Sequence, residues 1–115
     1  MKRVYLAGPL TAPTCSYISN VHAMIQVEWA IRKAGFSCFN PALDILTGMA
    51  IGGMTYDDYF NNNAAWIPAA DALFLMPGWE HSAGCCKERQ IAAMHNIPAF
   101  MNITDLTAWG KEQGE

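Results

Sequence analysis

One pattern constrains this chain more than any other. Short β-rich apolar runs alternate with longer runs at helical spacing, and most are closed by Gly, Pro or Asn. The first, "RVYLA" (Arg3 to Ala7), stops at Gly8-Pro9 and reads as a buried strand ending in a sharp turn. The polar, turn-prone segment "LTAPTCSYIS" follows. From Ser19 or Asn20, a good N-cap, Val21, Met24, Ile25, Glu28 and Ile31 recur at helical spacing until Gly35. "FSCFNP" predicts a second strand, stopped by Asn40-Pro41. The glycine-rich stretch 42–54, "ALDILTGMAIGGM", is expected to be a loop. Thr55 caps a predicted helix that includes Tyr59, Ala64 and Trp66 and ends near Pro68. "DALFLM" is the third strand, and "SAGCCKERQIAAMHN" the helix after it, with Asn96 as a left-handed stop. Pro98 begins a fourth short strand, "PAFMNI", and the tail is expected to hold one helical turn before fraying.

Strands alternating with helices imply a parallel sheet with right-handed crossovers. The expected fold is a single α/β domain over residues 1–115: an open sheet of four to five strands with helices on both faces, flavodoxin-like or Rossmann-like. Such sheets bind ligands outside the carboxyl ends of their strands, near the switch in strand order. That rule collects Gly8, Pro9, Asn40, Pro41 and the loop Pro77–Gly84 on one edge.

Composition narrows the function. The chain is 52% hydrophobic and 15% charged, which suits a compact globular protein. Its formal charge of −3 argues against a duplex-DNA binder, which normally shows a basic face, but not against a small anion held by backbone groups. No apolar run approaches the roughly 20 residues that cross a bilayer, and the apolar start of "MKRVYLAGPL" is too short for a signal peptide. Cys15, Cys38, Cys85 and Cys86 lack metal-type spacing and read as reduced thiols of a cytoplasmic protein. No metal is expected.

At the predicted edge, Ser82 caps a helix with Gly84 in its first turn. Free N–H groups there and the positive end of the helix dipole make an anion pocket. An ordinary capped helix with nothing bound fits the cap equally well. Glu88 falls on the face of Gly84 and Ala92, where small neighbours leave a carboxylate room to face a cavity; a solvated glutamate, paired with a neighbouring base, is the plainer alternative. Tyr5 points off the first strand near the same edge, where its hydroxyl can orient a carboxylate, although most strand tyrosines simply pack. Trp79, following Gly78, can stack under a base. Of Asp57 and Asp58, one is assigned to the helix start and Asp58 is kept as a polar contact.

In type and order, "YLAGP", "FNP", "AD" and "SAGCCKE" followed by Ala92 resemble the nucleoside 2-deoxyribosyltransferase superfamily, which includes 2′-deoxynucleoside 5′-monophosphate N-glycosidases. The likeness is greatest to a short subgroup and spans the chain outside 42–54 and the tail. It implies an enzyme of nucleotide metabolism, a hydrolase or transferase that cleaves the N-glycosidic bond of 2′-deoxynucleosides or their 5′-monophosphates. Glu88 matches the family nucleophile, Tyr5 the tyrosine that hydrogen-bonds it, and Gly8 and Pro9 the turn lining the sugar and base pocket. Ser82 stands where the transferases often carry an aspartate, which favours a monophosphate and hydrolysis. Asn63 replaces a family acid and cannot protonate a leaving group, so Asp57 or Asp58 would have to substitute. The resemblance implies no cofactor, a small-molecule substrate, and a homodimer or larger homo-oligomer. A nucleotide-binding or sensing protein that keeps the pocket without turnover is the alternative.

Overall fold

The computed structural model describes residues 1–10 and 14–114. Four strands, β1 (Arg3–Ala7), β2 (Ser37–Phe39), β3 (Ala72–Leu75) and β4 (Ala99–Phe100), form one sheet in the order β2-β1-β3-β4. All pairings are parallel, with Tyr5 opposite Phe39 on one side and Leu73 on the other. This is the flavodoxin-like order. The chain moves outward from β1 to β2 and then crosses back to β3, so the switch point lies between β1 and β3.

Strand side chains alternate between faces, and two cores result. Val4 and Leu6 of β1 and Phe74 of β3 pack with Val21, Met24 and Ile31 of α1 (Thr14–Lys33) and Leu106 of α5 (Ile103–Glu112). Tyr5, Ala7, Leu73 and Leu75 face the other way, onto Ala64 of α3 (Tyr56–Ala64) and Cys85 and Ala92 of α4 (Ala83–Met94). Helices therefore cover both faces. The four strands of the sheet lie within the expected four to five. No described helix is long and apolar enough to cross a membrane.

Several boundaries differ from the sequence reading. α1 is helical from Thr14, a turn or more ahead of the expected Ser19–Asn20 start; residues 11–13 of the supposed turn lie outside the described residues. Stretch 42–54 is not a loop. Asn40 caps a 3-10 turn at Pro41–Leu43, its side chain accepting from the Ala42 N–H, and α2 (Asp44–Ile51) continues it until Gly52 and Gly53, both at positive φ, end it. The glycines that suggested a loop thus largely mark the end of a short helix. The tail holds a full ten-residue helix rather than one turn. Asn102 caps it, Leu106 enters the core, and Trp109 packs against Phe36 and Phe100. Thr55 does cap α3, in a reciprocal capping box with Asp58, and Asn96 adopts the expected positive φ.

Candidate active site

α4 presents Cys85, Glu88 and Ala92 as one buried stripe, the spacing of a helix face turned to the core. Ser82 starts it: its Oγ accepts from the Cys85 N–H at 3.2 Å, so Glu88 takes no part in the cap. Glu88 is only 8% exposed. β1, a central strand, points Tyr5 at the same stripe, and the fully buried Tyr5 hydroxyl donates to Glu88 Oε2 at 2.5 Å. Burial pushes the Glu88 carboxyl up to about 7, opposed by the Tyr5 hydrogen bond. Burial, and then the Glu88 charge, hold the Tyr5 phenol protonated far above its ordinary range. The phenol is therefore a fixed donor, and the carboxylate takes up a proton near neutrality.

Glu88 opens into a cavity of about 360 Å³ at the carboxyl edge of the sheet, a size that suits a small organic ligand. Gly8 and Met24 line it on the β1–α1 side, Ser82 and Gly84 at the mouth of α4, and Tyr56, Phe60 and Asn63 along α3. At two of these positions an added Cβ would crowd a neighbouring side chain. A Cβ on Gly8 would meet Met24 Sδ at 2.9 Å and Met76 Sδ at 3.1 Å, and one on Gly84 would meet the Tyr56 hydroxyl at 2.9 Å. The Tyr56 ring stacks on Phe60, and the Lys87 ammonium stands over both rings at 5.6 and 5.5 Å. At the α4 mouth the N–H groups of Ala83 and Gly84 have no helical acceptor by position.

Of the residues singled out from sequence, the cavity brings together Gly8, Asn63, Ser82, Gly84 and Glu88, with Tyr5 behind Glu88. Five others lie outside its lining. Asn40 is buried but occupied: it caps Ala42 and donates to Glu28 Oε1 at 3.0 Å. Asp58 is spent on α3, its carboxylate accepting from the Thr55 N–H at 2.8 Å, and that capping bond holds its carboxyl below the usual range. Gly78 takes a left-handed conformation, and a Cβ on it would lie 3.9 Å from the Pro9 ring; neither residue lines the cavity. Trp79 packs against the core on the α4 face rather than flooring the cavity.

The sequence reading missed Asp44, at the start of α2. It lines the cavity and accepts from Asn63 Nδ2 at 2.7 Å. The "NPALD" spacing, a cap followed by Pro and an early acid, was the available signal for a helix start there. Asn63 itself is 6% exposed, and its Oδ1 accepts from Asn62 Nδ2 at 3.3 Å. Tyr17 and Tyr59 were also missed as lining residues. The cavity thus carries two carboxylates, Asp44 and Glu88, and no lysine or arginine among its described lining residues. A buried carboxylate held by a phenol in a cleft can attack an electrophilic carbon or stabilise a developing cation.

The fold has a solved counterpart. A 2-deoxyribosyltransferase from the psychrotolerant bacterium Bacillus psychrosaccharolyticus superposes with a TM-score of 0.62 over 84% of this chain and 69% of that one, at 20% sequence identity. The likeness is one of fold. No curated protein sequence matches the chain. A family model does, over residues 2–101. The chain therefore belongs to the family described as a domain of unknown function, DUF4406.

Proposed function

We propose that this protein cleaves the N-glycosidic bond of 2′-deoxynucleosides or their 5′-monophosphates, with Glu88 as nucleophile. The observation that carries the reading is the Tyr5–Glu88 pair, buried at the switch point with Glu88 lining the cavity. Glu88 would bond to C1′ of the deoxyribose as the C1′–N bond breaks and its electron pair leaves with the base. Tyr5 keeps one carboxylate oxygen engaged, which leaves the other free to attack. Water would then release the sugar, as in retaining glycosidases. The fold shared with a deoxyribosyltransferase is consistent with this chemistry.

The α4 mouth is the place for the 5′ end of the substrate. The Ser82 lone pairs serve the cap, which leaves its proton to donate to a 5′-oxygen. Glu80 is exposed and outside the cavity lining, so it does not oppose an anion there. These features support a monophosphate and its hydrolysis. The opposing feature is the two-carboxylate lining, which favours an uncharged nucleoside. Incubation with the four deoxynucleosides and their monophosphates, followed by chromatography of free base, tests the reading. Base release that disappears in Glu88→Ala supports it. Tight binding without release, unaltered in Glu88→Ala, would support a nucleotide-sensing protein instead.

A further inference from the structure

Asn63 lines the cavity, yet it is buried and hydrogen-bonded in two directions. Asn62 donates to its oxygen, and its own nitrogen donates to Asp44 Oδ2 at 2.7 Å. The amide is thereby fixed with its donor toward α2. An acid opening a helix usually serves that helix's own N–H groups. The Asp44 carboxylate instead reaches across to α3 and lines the cavity that Glu88 enters. It is near enough to Tyr5 for its charge to help keep the phenol protonated. With Oδ2 engaged, Oδ1 is left for whatever occupies the cavity.

We propose that Asp44 is the general base of the second half-reaction, held in place by Asn63. This deepens the glycosidic reading above and rests on it. A water molecule gives a proton to Asp44 Oδ1 as its oxygen bonds to C1′ of the deoxyribosyl-Glu88 ester. The C1′–O bond to Glu88 breaks, and its electron pair returns to the Glu88 carboxylate. Free deoxyribose, or its 5-phosphate, departs, and the proton on Asp44 passes to solvent. The two carboxylates have separate tasks: Glu88 makes the ester and Asp44 resolves it. Asn63 is a positioning residue.

Asp44 is half-buried on a helix with no buried side chain, so Asp44→Asn should fold. With a substrate that the wild type turns over, this variant should release one equivalent of base per enzyme at a rate within a few-fold of wild type. Steady-state turnover should fall by about 100-fold or more, in the range of general-base loss. Intact mass should rise by one deoxyribosyl group, mapping to Glu88. Azide, which needs no base, should restore turnover and give deoxyribosyl azide. Asn63→Ala should accumulate the same adduct, with kcat and KM falling together and kcat/KM little changed, whereas a merely structural role would lower the melting temperature and leave no adduct. Slowing of the first turnover as large as that of the steady state, or unaltered turnover in Asp44→Asn, overturns the assignment of Asp44 alone. A wild type that releases no base from any substrate overturns the glycosidic reading and this inference with it.

Discussion

The Tyr5 hydroxyl and the Glu88 carboxylate, 83 positions apart in sequence, meet at 2.5 Å in a buried hydrogen bond. Their partnership is asymmetric. Tyr5 is held as a donor by its neighbour on β2, its ring stacked on Phe39 at 5.3 Å, while Glu88 lines the cavity. Burying a carboxyl this way destabilises its charged form, which is useful only where that charge acts on something.

Glu88 should therefore cost stability when ionised. Its carboxyl titrates near 7 in the folded chain against 4.5 ordinarily, so between those pH values the folded state holds more protons than the unfolded. Stability then falls as pH rises through that window, by about 3 kcal/mol for this one group, and is level above it. Glu88→Gln keeps an acceptor for Tyr5 and abolishes the titration. Urea unfolding should find the variant more stable than wild type at pH 8, with the difference shrinking toward pH 4.5. It should have no base-releasing activity at either pH. A variant no more stable than wild type at pH 8 would contradict the burial argument.

The rate should follow the same proton in the opposite sense. A nucleophile must be ionised, so kcat/KM should climb about tenfold per pH unit below 7 and flatten above it. Tyr5→Phe removes the one bond that favours the charged form. The limb should then move to higher pH, and at pH 6 the variant should lose more activity than at pH 9. Equal loss at both would mean that Tyr5 acts on substrate rather than on the Glu88 proton.

Ser82 separates substrate classes. Ser82→Asp keeps a good cap for α4 but places a negative charge at the helix mouth. Monophosphates should lose at least tenfold more kcat/KM than nucleosides, with the melting temperature little changed. Equal loss on both would remove the 5′ end of the substrate from this end of the cavity.

Asn40 lies outside the cavity, and its expected effect is on stability. It caps Ala42 and satisfies Glu28, which also pairs with Arg32 at 3.3 Å. Asn40→Ala leaves the buried Ala42 N–H without its acceptor and takes from Glu28 one of its two partners. The cost should be about 1–3 kcal/mol, read by urea denaturation. Because the turn it caps leads into Asp44, kcat should fall and KM with it, leaving kcat/KM little changed. A stability change under about 0.5 kcal/mol, the scale of an ordinary surface substitution, would contradict the capping role.

Tyr5 and Glu88 were legible because each stands on an element whose period fixes its direction: alternation on β1 and the buried stripe of α4. The sheet was legible for the same reason, its apolar runs being cleanly punctuated. α2 was not. It is eight residues long, contains Gly48, and buries none of its side chains, so it offers no amphipathic face to recognise. Losing α2 meant losing Asp44, and Asp58 then seemed the acid to consider. Asp57 and Asp58 were considered as acids at a helix start, and the Asp58 carboxylate is taken by the Thr55 backbone. Trp79 was misplaced because a tryptophan beside a glycine turn fits packing and stacking alike, and only the core on the α4 face decides between them.

Gly84→Ala weighs helix propensity against space. Alanine is favoured over glycine by up to about 1 kcal/mol inside a helix, and Gly84 stands in the first turn of α4, where the gain is smaller. Against it, the new Cβ would lie 2.9 Å from the Tyr56 hydroxyl and 3.9 Å from Ser82 Oγ. The Tyr56 ring cannot yield without sliding on Phe60 and away from Lys87. The two effects should nearly cancel in stability, leaving a change within about 1 kcal/mol. They do not cancel in binding, because the methyl group and the displaced hydroxyl both intrude on the helix mouth. KM should rise at least tenfold while the melting temperature moves by only a few degrees. An unchanged KM would show that ligand does not approach the backbone of α4 at Gly84, and the anion end of the cavity would have to be sought elsewhere along its lining.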